Sequence, residues 1–147
     1  MSKETEGKVL YFEKKGTVNT DRTLEIALVC CEDKGIKKVA IVSHSLGAWM
    51  TNAYFDATAT SSFKAWACLG LTGGYSLATW FSPRPILDVY GENDLQPAVD
   101  AAWRRRLTLA SAPEGSRQVM IAGTDHFYAG KEDELARTIS GWLGEVL

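Results

Sequence analysis

Residues 38–48 read KVAIVSHSLGA, and the fold turns on the break inside this stretch. Lys38 to Ser43 form an almost continuous apolar run, the pattern of a strand covered on both faces. From Leu46 to about Phe55 the residues suit a helix. A strand that passes directly into a helix needs a sharp turn. In such a turn the positions two before and two after the apex bring their Cβ atoms into contact, so both must be small. Ser43 and Gly47 meet that need and leave Ser45 at the apex, its hydroxyl lifted out of the sheet. The amide of Leu46 opens the helix and points into the same space, at the positive end of the helix. The bland reading is a tight turn; the chemical reading is a strained turn that presents a nucleophile.

The same alternation of apolar run and helix extends in both directions. KVLYFE (8–13) has the β-branched and aromatic content of a short strand, after a polar stretch 1–7 that reads as disordered. KKGTVNT (14–20) is a polar loop. Asp21 can cap a helix from Arg22 to about Asp33, with Leu24, Ala27, Leu28 and Cys31 at helical spacing and Gly35 as its stop. Past the polar loop 56–62, KAWACLGL (64–71) is a second fully apolar strand, broken by Gly73 and Gly74, and SLATWF (76–81) suits a short helical turn. PILDVYG (85–91) and RQVMIAG (117–123) are two more strands. Pro97 fits the first turn of a helix to about Leu109, and Lys131 to Leu147 forms a terminal helix with Leu135, Ile139, Trp142 and Leu143 on one face. The expectation is an α/β fold: a mostly parallel sheet of about five strands flanked by helices, with right-handed crossovers, as one domain over 8–147.

Composition fits this. The chain has 147 residues, 46% hydrophobic and 23% charged, enough for one core. A net charge of −2 argues against nucleic acid or an anionic membrane as partner. No apolar run reaches the roughly 18 residues of a membrane span, and MSKETEGK lacks the apolar stretch of a signal peptide. Cys30, Cys31 and Cys68 read as small buried hydrophobes in a reducing compartment, which implies a cytoplasmic protein. With two histidines and no paired-ligand spacing, no metal site is expected.

In parallel α/β sheets, ligands bind beyond the carboxyl ends of the strands. Ser45 lies at one such end. Asp94 lies at another, in GENDLQP, three residues past Gly91; it can orient a histidine or simply cap the helix after it. His126 lies at a third, in GTDHFYAG, three residues past Gly123. Each is weak evidence alone. Together they are a serine, an acid and a histidine in that chain order, each just past a parallel strand.

On these residues the chain resembles the α/β-hydrolase superfamily, esterase- or lipase-like in its core, with IVSHSLGA, YGENDLQP and GTDHF carrying the likeness over residues 8–147. The first glycine of the family's G-x-S-x-G turn is Ser43 here, which keeps the position small. The resemblance implies Ser45 as nucleophile, His126 as general base and then acid, and Asp94 as the group that orients the imidazole. Asp88, inside a strand, is a weaker acid candidate, and Asp125 is expected to be solvated. His44 is expected as a packing or pocket-wall residue and not as the base, turned away from Ser45 by the elbow. Trp80 and Phe127 are further substrate-binding candidates; for aromatics after a strand, Trp49 and Phe81 included, core packing is the competing reading. The core is expected to be capless and N-terminally short. The intervals between the three residues leave room for single strand–helix units and for no large lid.

The Leu46 amide is the expected oxyanion donor. The loop that supplies a second donor in the family has no counterpart in this sequence, so a substitute is sought in Lys14, Lys15 and Gly16 or in a partner subunit. A sheet shortened at one side leaves an edge that invites pairing, so a homodimer is expected, through 8–13 or the terminal helix. The leading reading is a serine hydrolase of small apolar esters or thioesters that uses no cofactor. The alternative is a catalytically weak or inactive hydrolase-fold protein serving in binding or assembly, for want of a complete oxyanion hole. A phosphorylated-ligand domain ranks last, because no glycine-rich phosphate loop is present.

Overall fold

Four of the apolar runs become four parallel strands. The computed structural model describes residues 35–57, 62–76, 79 and 83–147. Within them β1 (Ala40–His44) leads through Ser45 into α1 (Leu46–Ala57), then come β2 (Ala65–Leu69), β3 (Ile86–Asn93), α2 (Gln96–Leu109), β4 (Arg117–Asp125) and α3 (Glu132–Val146). The strands lie side by side in chain order. Ala40 pairs with Ala65, Trp66 with Ile86 and Leu87 with Arg117, each pair parallel. The expected strand 8–13, the helix from 22 to 33, Cys30, Cys31, the 14–16 loop, Trp80 and Phe81 lie outside the described residues.

Strand periodicity divides the core into two layers. Trp66 and Cys68 of β2, with Ile86 of β3, pack against Ala48, Tyr54 and Phe55 of α1 and Leu109 of α2. The intervening residues Ala65, Ala67 and Leu69, with Leu87 and Val89, pack on the opposite face against Trp142 of α3. Every residue of β2 is buried, as its unbroken apolar run requires. Full burial of a large apolar side chain stabilises by about 1.5–3 kcal/mol, so Trp66, Phe55 and Trp142 are main anchors of the helices on the sheet. The Trp142 indole N–H is not stranded; it donates to the Gly115 carbonyl at 2.7 Å. The first turn of α3 carries Glu132, Asp133 and Glu134, the sign that suits the positive end of a helix.

The sheet is irregular at one point. The β3–β4 ladder shifts register between Gly91 and Asn93. Such a bulge bends and re-aims the strand end, and here it lies just before Asp94.

Candidate active site

The turn after β1 is as sharp as its sequence demands. Ser45 has φ of +55°, the left-handed region that a non-glycine residue enters only under constraint. Its amide donates to the Leu69 carbonyl at 2.9 Å, which ties the apex to β2. A Cβ built on Gly47 would lie 3.8 Å from the Ser43 Cβ, so the two positions face each other across the turn. Serine at 43 also has a use that glycine could not serve. The Trp66 indole N–H donates to its hydroxyl at 2.8 Å and so is satisfied inside the core. Leu46 opens α1, whose first amides have no carbonyl one turn earlier and remain available to an anion.

The three strand ends converge. The Ser45 hydroxyl and His126 Nε2 are 2.7 Å apart, and His126 Nδ1 and Asp94 Oδ1 are 2.5 Å apart. A carboxylate only accepts, so Nδ1 carries the ring proton and Nε2 is left to accept from Ser45. The histidine and aspartate side chains are nearly inaccessible, at 6% and 0% exposure. Asp94 is further held by the Leu95 amide on Oδ1 (2.7 Å) and the Gly91 amide on Oδ2 (3.1 Å). It does not cap α2, whose N-terminus has no side-chain cap.

The remaining candidates fall in different places. Asp88 takes no part in this hydrogen-bonded chain: it is fully buried in mid-strand, paired with Arg105 at 2.9 Å and hydrogen-bonded by Gln118 at 2.7 Å. Burial pushes its carboxyl above the usual range, against the pull of Arg105 and Gln118. Asp125 is exposed, and its carboxylate accepts the Phe127 amide at 2.9 Å. Phe127 is 75% exposed and Trp49 55%, so neither is a core residue. The Phe127 ring meets the His126 ring edge-on, with centroids 5.4 Å apart. His44 is half-buried, and its ring is turned to the loop that carries His126, where Nε2 lies 2.8 Å from the His126 carbonyl.

Two glycines that the sequence reading took only as parts of strands, Gly70 within 64–71 and Gly91 at the end of 85–91, belong to the site. A Cβ on Gly70, which has φ of +58°, would lie 2.9 Å from His126 Cε1 and 3.5 Å from Asp94 Oδ2. A Cβ on Gly91 would lie 2.6 Å from the Asp125 carbonyl oxygen. Only the absence of a side chain lets the histidine ring and its loop approach so closely. The one available signal was position: Gly70 follows β2 directly and Gly91 lies at the bulge near the end of β3, each beside a strand that leads to a residue of the chain Ser45–His126–Asp94.

This arrangement of elbow, acid and histidine on parallel strands accompanies a likeness to solved hydrolase structures. The chain superposes on the esterase domain of a Rhodothermus marinus protein with a TM-score of 0.62 and 15% identity, covering 85% of this chain and 68% of that one. A carboxylesterase structure from Nitrososphaera gargenis gives 0.64 and 12%, covering 90% and 74%. A CIB-like hydrolase from Thermoplasma acidophilum gives 0.61 and 17%, covering 81% of this chain but only 56% of that one. The chain has the α/β-hydrolase fold. No family model matches it, and no curated protein matches it in sequence. At these identities the likeness carries the hydrolase fold alone. Among the described residues, no helix is long and apolar enough to cross a membrane.

Proposed function

We propose that this protein is a serine hydrolase acting on a small carboxylic ester or thioester, with Ser45, His126 and Asp94 as its catalytic triad. The observation that carries the reading is the unbroken chain from Ser45 Oγ through both nitrogens of His126 to the Asp94 carboxylate. The Ser45 oxygen attacks the substrate carbonyl carbon while its proton passes to His126 Nε2. Asp94 holds the ring in the tautomer that can accept that proton and steadies the imidazolium that results. The Leu46 amide donates to the oxyanion of the tetrahedral intermediate. As the intermediate collapses, the bond to the leaving group breaks and His126 returns the proton to the departing alcohol or thiol. The acyl group is left on Ser45. Water then repeats the sequence with His126 as base and releases the carboxylic acid.

Leu46 (69% exposed), Trp49 and Phe127 offer accessible apolar surface on the segments that carry Ser45 and His126, which favours an uncharged acyl or aryl group over an ionic substrate. Trp80 stays a proposal from sequence as a further pocket residue. A single domain over 8–147, a cytoplasmic setting and a homodimer likewise stand as proposals. A monomer by light scattering at micromolar concentration would remove the last.

A fluorophosphonate probe tests the chemistry directly. Labelling of the native protein that disappears in Ser45→Ala, with turnover of short-chain p-nitrophenyl esters, is the expected result. A folded protein that neither labels nor hydrolyses any ester would replace this reading with the non-catalytic one. Loss of one oxyanion donor typically costs about 10²–10³ in turnover, so slow hydrolysis with clean labelling would point to an incomplete hole and not to a missing triad.

A further inference from the structure

His44 was expected as a packing or pocket-wall residue. Its contacts are with the loop that carries His126. The ring centroid is 4.7 Å from that of His126, 6.2 Å from Phe127 and 5.9 Å from Tyr128, three consecutive residues of the loop after β4. Its Nε2 is 2.8 Å from the main-chain carbonyl oxygen of His126. A carbonyl only accepts, so Nε2–H donates. His44 is the last residue of β1 and is bonded to Ser45, so this hydrogen bond ties the backbone that carries the nucleophile to the backbone that carries the histidine.

The loop needs such a tie. Tyr128 holds φ of +57°, an unfavourable conformation for an aromatic residue, and is anchored by its own hydroxyl, which donates to the Val89 carbonyl at 3.0 Å. That bond and the Asp94 bond both fasten the loop to β3 and its extension. The Ser45 hydroxyl also reaches His126, but it must leave during reaction. The His44 bond links loop and elbow without taking part in the chemistry. His126 is therefore gripped at three atoms: Nδ1 by Asp94, Nε2 by Ser45 and the carbonyl oxygen by His44.

We propose that His44 is a positioning residue, a clamp that sets the separation of Ser45 Oγ and His126 Nε2 without touching the reacting atoms. The proposal rests on the hydrolase reading. Misplacing a catalytic group by a fraction of an ångström slows the chemical step and leaves ground-state binding intact, so the clamp acts on kcat and not on KM.

The test compares His44→Phe, which keeps a ring and removes the donor, with His44→Gln, which keeps an N–H within reach. Wild type and variants, shown to be folded by near-ultraviolet circular dichroism, are assayed on p-nitrophenyl acetate and butyrate. In parallel, proton NMR tracks the downfield Nδ1–H resonance of His126. The expected result for His44→Phe is a fall in kcat of about 10-fold, the scale of one lost hydrogen bond, equal for both esters, with KM unchanged. Its Nδ1–H resonance should broaden, and His44→Gln should recover both signals. Unchanged kcat in folded His44→Phe, or a KM effect that grades with acyl size, would overturn the clamp and return His44 to the pocket wall. If the wild type neither hydrolyses nor labels, the hydrolase reading fails while the clamp is still decided by the resonance: sharp in His44→Phe overturns it, broadened supports it. If His44→Phe does not fold, His44→Met against His44→Gln makes the same comparison.

Discussion

Asp88 and Asp94 lie on and just beyond the same strand, are both buried, and do opposite things. Asp88 faces Arg105, a guanidinium that keeps its charge at any ordinary pH, inside a pair with no exposed side-chain surface. Arg105 also donates through Nη1 to the Leu71 and Gly73 carbonyls, which ties the loop after β2 to α2. Asp94 faces His126, whose far nitrogen opens onto Ser45. The partner sets what each can do: a fixed charge makes a brace, and a titratable ring is what the proposed proton relay requires. Depth along the strand decides the partner. Asp88, in mid-strand, is reached by a side chain from a covering helix, whereas Asp94, past the strand end, is reached by a neighbouring loop.

The largest effect should come from Asp94→Asn. It leaves the shape but favours the wrong imidazole tautomer, and kcat on p-nitrophenyl acetate should fall by about 10⁴-fold. Urea unfolding should show a loss of no more than about 1–2 kcal/mol. A fall of less than about 10-fold, the scale of one ordinary hydrogen bond, would erase the contrast with Asp88. Next comes Arg105→Met, which strands the buried Asp88 charge and should cost about 3–5 kcal/mol by the same measurement, while turnover per folded molecule changes little. Adding Asp88→Leu should restore most of that stability. The pH dependence has a definite sign. Burial raises the folded-state value of Asp88 above its unfolded value, and removing Arg105 raises it further. Below the unfolded value both states are protonated and the charge is never buried. As pH rises from the unfolded value through the raised folded value, the cost appears and reaches its full size. The Arg105→Met deficit should therefore narrow in acid and widen toward neutrality.

A smaller effect is expected from Gly70→Ala, which forces a Cβ against His126 Cε1 at φ of +58°. Stability should drop by about 1–3 kcal/mol, and kcat should fall by about 10- to 100-fold as the ring is displaced. This would place Gly70 on the relay side of the comparison. The smallest is Ser43→Ala, which leaves the Trp66 indole without its acceptor. A melting curve should register about 1 kcal/mol, and kcat should be unaffected.

How much of this could be read in advance differs by residue for physical reasons. Ser45, Asp94 and His126 were legible because each comes soon after an apolar run that suits a buried strand, and strand ends in a parallel sheet share one rim. The limits of β3 and β4 were less legible; both run two residues past their apolar stretches, through Asn93 and Asp125, because pairing across the bulge continues where hydrophobicity stops. Arg105 carried a signal in its helical phase, since it shares a face with Ala98, Ala102 and Leu109, all buried. The bond from His44 to the His126 carbonyl was not legible, because it joins the elbow to a loop 82 residues away.

The order of residues determined the alternation of strands and helices, the small residues that the elbow requires and the identity of the side chains at the rim. All of these depend on local conformation and on periodicities of two and 3.6. The tertiary structure alone decided which rim residues meet, which carboxylate takes a histidine and which an arginine, and why a side chain on Gly70 would press on His126. Those outcomes depend on strand order, register and the bulge between Gly91 and Asn93, contacts between segments far apart in the chain that no local pattern encodes.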